Sequence, residues 1–138
     1  MSEPFALCVS TPRDATRIEG VTRLRFEAPD GLRGVWPGHE PASFVLRGGV
    51  VRLDHAPGGR APTSYLATEG GFLEVRAGEV QVVSRWAAAH TELEALVAFL
   101  RQRRARRQGV DEEARRLFER HELATRKALA GLQREVHR

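Results

Sequence analysis

Near residue 87 the spacing of apolar residues changes, and that change commits the chain to two kinds of structure in series. Up to Arg85, apolar and polar side chains alternate in short segments cut by glycine and proline. This is the period-two signature of half-buried strands. Candidate strands are Phe5–Ser10, Thr22–Ala28, Ser43–Arg47, Val50–Asp54, Ser64–Thr68, Phe72–Arg76 and Glu79–Ser84. In Thr22–Ala28 the expected inward residues are Leu24, Phe26 and Ala28, with Arg23, Arg25 and Glu27 facing water. Pro29-Asp30-Gly31, Gly48-Gly49, Pro57-Gly58-Gly59 and Ala77-Gly78 supply turn chemistry between strands. Many short strands at this spacing imply a sandwich or flattened barrel.

From Ala87 onward the period is helical. Leu93, Leu96, Val97 and Leu100 share one face, and the run Arg101–Gln108 ends at Gly109, a natural left-handed cap. Asp111 stands where an N-cap belongs, with Glu112 and Glu113 in the first turn of a second helix. That helix is expected from about Glu112 to Val136. Its apolar line is Ala114, Leu117, Phe118, His121, Ala124, Ala128, Leu129, Leu132 and Val136. The expectation is a β domain over residues 1–86 and an antiparallel two-helix hairpin over 87–138. Such a hairpin buries too few apolar side chains to stand alone and must rest on the β domain or on another protein.

Charge narrows the function. The net charge is +4, yet residues 1–90 are balanced and the whole excess lies beyond them. No apolar run approaches the roughly 20 residues of a membrane span, and Met1–Phe5 lacks the pattern of a signal peptide. A cytoplasmic protein is expected, reaching a membrane through a partner if at all. Cys8 is the sole cysteine, which excludes an internal disulfide and a multi-cysteine metal site. Its place between Leu7 and Val9 points to a buried thiol. His121 and Glu122 lack a second ligand pair one helical turn away, so no metal site is expected. No phosphate loop of the Gly-x4-Gly-Lys kind occurs.

Three landmarks resemble a family. Gly31-Leu32-Arg33-Gly34-Val35-Trp36-Pro37-Gly38-His39-Glu40-Pro41 is similar to the glycine-rich Pro-Gly-His loop of the epsilon subunit of F-type ATP synthases. Arg47-Gly48-Gly49-Val50-Val51-Arg52 and Gly70-Gly71-Phe72-Leu73-Glu74-Val75 follow in that family's order and spacing. The resemblance implies an α+β chain, a flattened antiparallel β-sandwich followed by a helical hairpin. It implies a non-catalytic central-stalk subunit of a rotary, proton- or sodium-translocating ATP synthase. Its sandwich would dock on gamma and the c-ring, at the cytoplasmic face of a bacterial plasma membrane. Its hairpin would swing up beside the catalytic alpha and beta subunits and block ATP hydrolysis. Ser84-Arg85-Trp86 and the arginine-rich tail resemble the divergent, second-copy ATPases of some bacteria.

The resemblance also places site residues. Gly31, Leu32, Arg33, Pro37, Gly38 and His39 would contact gamma and the c-ring. Leu32, followed by Arg33, stands where the family often has an acidic residue, which alters the electrostatics of that contact. Arg115, Arg116, Arg120, Arg126 and Lys127 would approach acidic segments of the catalytic beta subunits. Some family members bind ATP through an Ile/Leu-Asp-x-x-Arg-Ala motif. Here Val110-Asp111-Glu112-Glu113-Ala114-Arg115 transposes the last two residues and turns the arginine by about 100° around a helix. Accordingly no cofactor is expected, and ATP is disfavoured. Trp36 is expected in the core, Gly38 at a special backbone position, and His39 as a structural or interface histidine.

Two other readings come from the residues alone. Arg101, Arg103, Arg104, Arg106 and Arg107 could grip nucleic acid in a stand-alone β/helical module, although no aromatic residues are interleaved for base stacking. A small enzyme built on His39 and Glu40 would require a deep pocket around them.

Overall fold

In the computed structural model, which describes residues 3–58 and 61–136, nine strands precede one helix. The strands are β1 Phe5–Ser10, β2 Ala15–Ala28, β3 Gly31–Val35, β4 Ala42–Leu46, β5 Gly49–His55, β6 Thr63–Thr68, β7 Gly71–Arg76, β8 Glu79–Ser84 and β9 Ala87–His90. The helix is α1, Leu93–Val136. Met1, Ser2 and the Gly59 end of the Pro57-Gly58-Gly59 turn lie outside the described residues.

The strands form one hydrogen-bonded path, β4-β7-β8-β1-β2-β5-β6-β9, with β3 added on β2. Every pairing is antiparallel except β1 with β8. The long β2 turns this path into a sandwich. Its first half pairs with β1 and its second half with both β5 and β3. Register shifts between Ile18 and Val21 opposite β1, and between Val21 and Arg23 opposite β5, mark bulges where the strand bends. Each bulge inserts a residue, so the inward side chains of β2 run Ile18, Val21, Leu24, Phe26, Ala28, all buried. The path then closes on itself. Arg47 N at the end of β4 donates to Glu27 O at 2.9 Å, and Phe44 meets Phe26 edge-on with centroids 5.4 Å apart. A single core results, drawn from β1 through β8.

Gly71 makes the β7–β8 contact possible. With φ at 144°, a Cβ there would lie 1.9 Å from Val83 O. The landmark glycine pair is therefore steric in origin: the backbones approach where no side chain fits.

The helical part differs from the expectation in two ways. Ala87–His90 pairs with β6 as a strand, and α1 runs unbroken through Gly109 and Asp111. One helix stands where a hairpin was expected. A mid-helix glycine costs only about 1 kcal/mol relative to alanine. Breaking there would leave up to four amides and four carbonyls to be capped. The flanking residues are mostly Arg, Glu, Gln, Ala and Leu, which favour the helix.

Met1–Leu100 and Arg101–Arg138 form two compact units. In the first, Leu96 is buried and Phe99 stacks on Trp86, centroids 5.8 Å apart and planes 9° from parallel. In the second, every side chain from Arg104 to Leu132 is exposed.

Replacing Gly71 with valine should unfold the sandwich or lower its stability by about 3 kcal/mol or more, since two backbones must separate. Urea denaturation checks this; an unchanged midpoint would refute the steric account.

Candidate docking surfaces

The Gly31–His39 stretch is an edge strand followed by a tight turn. Val35 takes the inward position, 1% exposed, so alternation sends Leu32, Gly34 and Trp36 outward together. Leu32 is 84% exposed. Trp36 is 56% exposed, which corrects its expected place in the core. Its ring lies over the bare backbone of Gly34, with Cζ3 4.0 Å from where a Cβ would stand. Arg33 takes the other side of β3. It ion-pairs with Asp30, and its guanidinium carbon stands 5.5 Å from the centre of the Phe44 ring.

Trp36 to His39 form a β-turn in which His39 N donates to Trp36 O at 3.1 Å. Pro37 fills the first central position and Gly38, with φ at 82°, the second. That is the chemistry of a type II turn. His39 Nδ1 donates to Glu40 O at 2.7 Å, and its ring meets Trp36 at 5.0 Å and Phe44 at 6.5 Å. The imidazole is thus held as a packing element between two aromatics. Beside the turn, Phe5, Trp36, Pro37, His39, Pro41 and Arg76 help line a cleft of about 270 Å³. Of the six sandwich residues singled out from the sequence, Gly31, Leu32 and Arg33 lie on β3 and Pro37, Gly38 and His39 in the turn after it, with Leu32 and Arg33 on opposite sides of the strand.

Sequence reasoning missed a second apolar patch. Val45, Phe72 and Val83 are direct cross-strand partners on β4, β7 and β8, and each is more than half exposed at 52%, 65% and 52%. The available signal was apolar residues at both parities of these strands. Cys8 also departs from expectation. It lies on the outer side of β1, half-buried, where its thiol donates to Glu79 Oε1 at 2.8 Å. Because Leu7 and Val9 occupy the core, the residue between them must face away. The hydrogen bond to Glu79 and burial push the thiol pKa up.

On α1 the five singled-out cations share one side. At about 100° per residue, Arg115, Arg116, Arg120, Arg126 and Lys127 fall within an arc of about 140°. Arg126 is paired with Glu122 at 2.9 Å. The opposite arc carries Val110, Ala114, Leu117, Phe118, Ala128 and Leu132. Of these, Val110, Leu117, Phe118 and Leu132 are 58–68% exposed. No helix is long and apolar enough to cross a membrane, and no cluster of His, Cys, Asp and Glu that could hold a metal occurs, among the described residues.

Residues 4–90 match the family described as ATP synthase, Delta/Epsilon chain, beta-sandwich domain. Over 128 residues, 93% of each chain, the sequence is 33% identical to an ATP synthase epsilon chain of Bacillus cytotoxicus. An ATP synthase epsilon chain of Bacillus mycoides matches equally, at 33% over the same share. The chain belongs to the ATP synthase delta/epsilon family. A chain in the Euglena gracilis mitochondrial ATP synthase structure, OSCP/F1/c-ring, shares the fold with a TM-score of 0.56 and 21% identity. That likeness covers 76% of this chain and 66% of the other. The family match runs from the residue before β1 to the last residue of β9. The Pro-Gly turn and the Gly70-Gly71 contact are the structural content of its landmarks.

Arg33 holds the Asp30 carboxyl below the usual carboxylate range, mainly through their hydrogen bond. A depressed carboxyl contributes stability above its unfolded pKa and loses it as pH falls through the folded value. Arg33→Ala should return Asp30 toward about 3.9 and remove that acid-side loss. Carboxyl NMR titration reads the shift; an unmoved Asp30 would remove Arg33 as its cause.

Proposed function

We propose that this chain docks in the central stalk of a rotary ATP synthase through the Gly31–His39 surface, against a gamma subunit and the c-ring, and that α1 restrains ATP hydrolysis. The chain is a non-catalytic subunit of that machine, associated with a membrane through the complex. The observation that carries the docking surface is the exposure of Leu32 and Trp36 on one face of an edge strand. An exposed apolar pair beside a rigid Pro-Gly turn suits a protein partner. Partner assignment rests on the family and on the c-ring assembly named for the Euglena relative. In a bacterium this surface would lie at the cytoplasmic face of the plasma membrane.

Membership in this family displaces the nucleic-acid and small-enzyme readings. The Arg33 surface also sets the kind of ring contact. Leucine and a charge-neutralised arginine favour an apolar loop on the c subunits over a strongly polar one. Burying Leu32 fully would be worth about 1.5–3 kcal/mol. Leu32→Asp should therefore cut copurification of gamma and c subunits with the tagged chain at least about tenfold, the equivalent of 1.4 kcal/mol. Unchanged recovery would move the docking surface elsewhere.

For α1 the division of labour is a docking sandwich and a regulatory helix. The basic arc meets acidic segments of the catalytic beta subunits, and the apolar stripe lies along gamma. Partly desolvated charge pairs at such a contact can hold one state by a few kcal/mol, and only differential contact can shift a conformational balance. ATP has no part in the proposal, since the transposed arginine leaves the family's nucleotide motif incomplete.

Truncation after Leu100 keeps buried Leu96 and the Trp86–Phe99 stack, so the sandwich should still fold and assemble. ATP hydrolysis by the isolated complex should rise severalfold. Normal assembly with unchanged hydrolysis would eliminate the restraint while leaving the docking role intact.

A further inference from the structure

The outer face of the β3-β2-β5-β6-β9 layer carries an arginine, Arg25, whose Nε the folded chain leaves without a hydrogen bond. Cross-strand pairing aligns Gly34, Arg25, Arg52, Tyr65 and His90 in one row. Arg25 is half-buried, and its Nε is buried without a hydrogen-bond partner. Directly opposite it stands Arg52, and like charges facing each other across strands destabilise a sheet. Nearby carboxylates are engaged elsewhere. Glu27 accepts from Arg47 at 3.5 Å, and Asp54 accepts from Arg52 at 3.3 Å and from Thr63 at 3.4 Å.

Donors continue along the row. His90 Nδ1 accepts from Glu92 N at 2.9 Å, so the neutral ring carries its proton on Nε2. Tyr65 adds a hydroxyl, and the Trp36 ring covers Gly34 at the other end. The Arg25 guanidinium, an imidazole N–H and a phenol, beside an Arg52 that already pairs with Asp54, form a surface complementary to carboxylates.

We propose that this row is a docking site for a short acidic segment of a partner protein, whose carboxylate accepts from Arg25 and relieves its opposition to Arg52. Five strands at about 4.8 Å spacing span about 19 Å, the length of roughly six extended residues. The site asks for acidic side chains with an apolar residue near Trp36. A flat sheet face suits a continuous segment better than a small anion in a pocket.

The test uses the full chain and a synthetic peptide alternating Glu with Ala and Val, followed by NMR of backbone amides and arginine Nε–H groups. The expected result is a shift of the Arg25 Nε–H, with amide changes confined to Arg25, Arg52, Tyr65 and His90. Arg25→Met should weaken binding about tenfold and raise the melting temperature of the free chain, because a buried N–H without a hydrogen bond, set opposite Arg52, is replaced by an apolar side chain of similar length. Arg52→Gln, which leaves Arg25 in place, should also weaken binding. Shifts confined to the arginines of α1 would overturn the proposal. So would equal shifts with inorganic phosphate at the same concentration, or stronger ones with a single-stranded oligonucleotide. A lower melting temperature for Arg25→Met would make the arginine structural and overturn it as well.

Discussion

Two layers can share one core only if some strand serves both, and here that strand is β2. An uninterrupted period of two would have kept its side chains on one continuous surface. The bulges reset the parity, so that Ile18 and Val21 face the core opposite β1, and Leu24, Phe26 and Ala28 face it opposite β3 and β5. Phe26 then reaches Phe44 on the far edge, and the backbone bond from Arg47 to Glu27 closes the curl. The proposed docking surface hangs on the same strand. β3 pairs with no strand but β2 among the described residues, and the Trp36–His39 turn leads from β3 toward β4.

The sequence was readable wherever one physical rule acted alone. β8 follows the alternation residue for residue, and β1 keeps its expected bounds although Ala6 is buried along with Phe5, Leu7 and Val9. The first half of β2 was hidden by its bulges, since inward residues three apart resemble neither a strand nor a helix. β3 was hidden by composition: Gly-Leu-Arg-Gly-Val offers one buried side chain in five. Ala87–His90 read as helix because alanine is the best helix former, yet pairing with β6 outweighs that local preference. Within the proposed docking surface, the resemblance singles out Leu32 and the turn. It could not show that Trp36 faces outward, which follows from Val35 taking the inward position. Arg25 carried no sequence signal at all. Its unsatisfied state arises from neighbours that lie far off in the chain.

Exposure on this sandwich has a consistent logic. A chain that had to persist alone would cover Leu32, Trp36 and the Val45–Phe72–Val83 row, or interrupt them with charge. Leaving them bare weakens the free chain and would favour an assembled one, because each such side chain would gain burial only against a partner. Arg25 follows the same logic in charge instead of area.

The unbroken α1 belongs to that argument. Bending the helix at Gly109 would recover about 1 kcal/mol of glycine propensity. It would also forfeit several backbone hydrogen bonds, each worth about 1 kcal/mol net. A straight helix therefore wins wherever the apolar stripe gains nothing from bending. Val110, Leu117, Phe118, Leu129 and Leu132, all at least 56% exposed, hold about 1.5–3 kcal/mol apiece in unrealised burial. Any surface that covers three or four of them outweighs the cost of the bend. The conformation of this tail is thus set by which surface is offered to the stripe, and a glycine at the midpoint keeps the competing shapes within reach of such a contact.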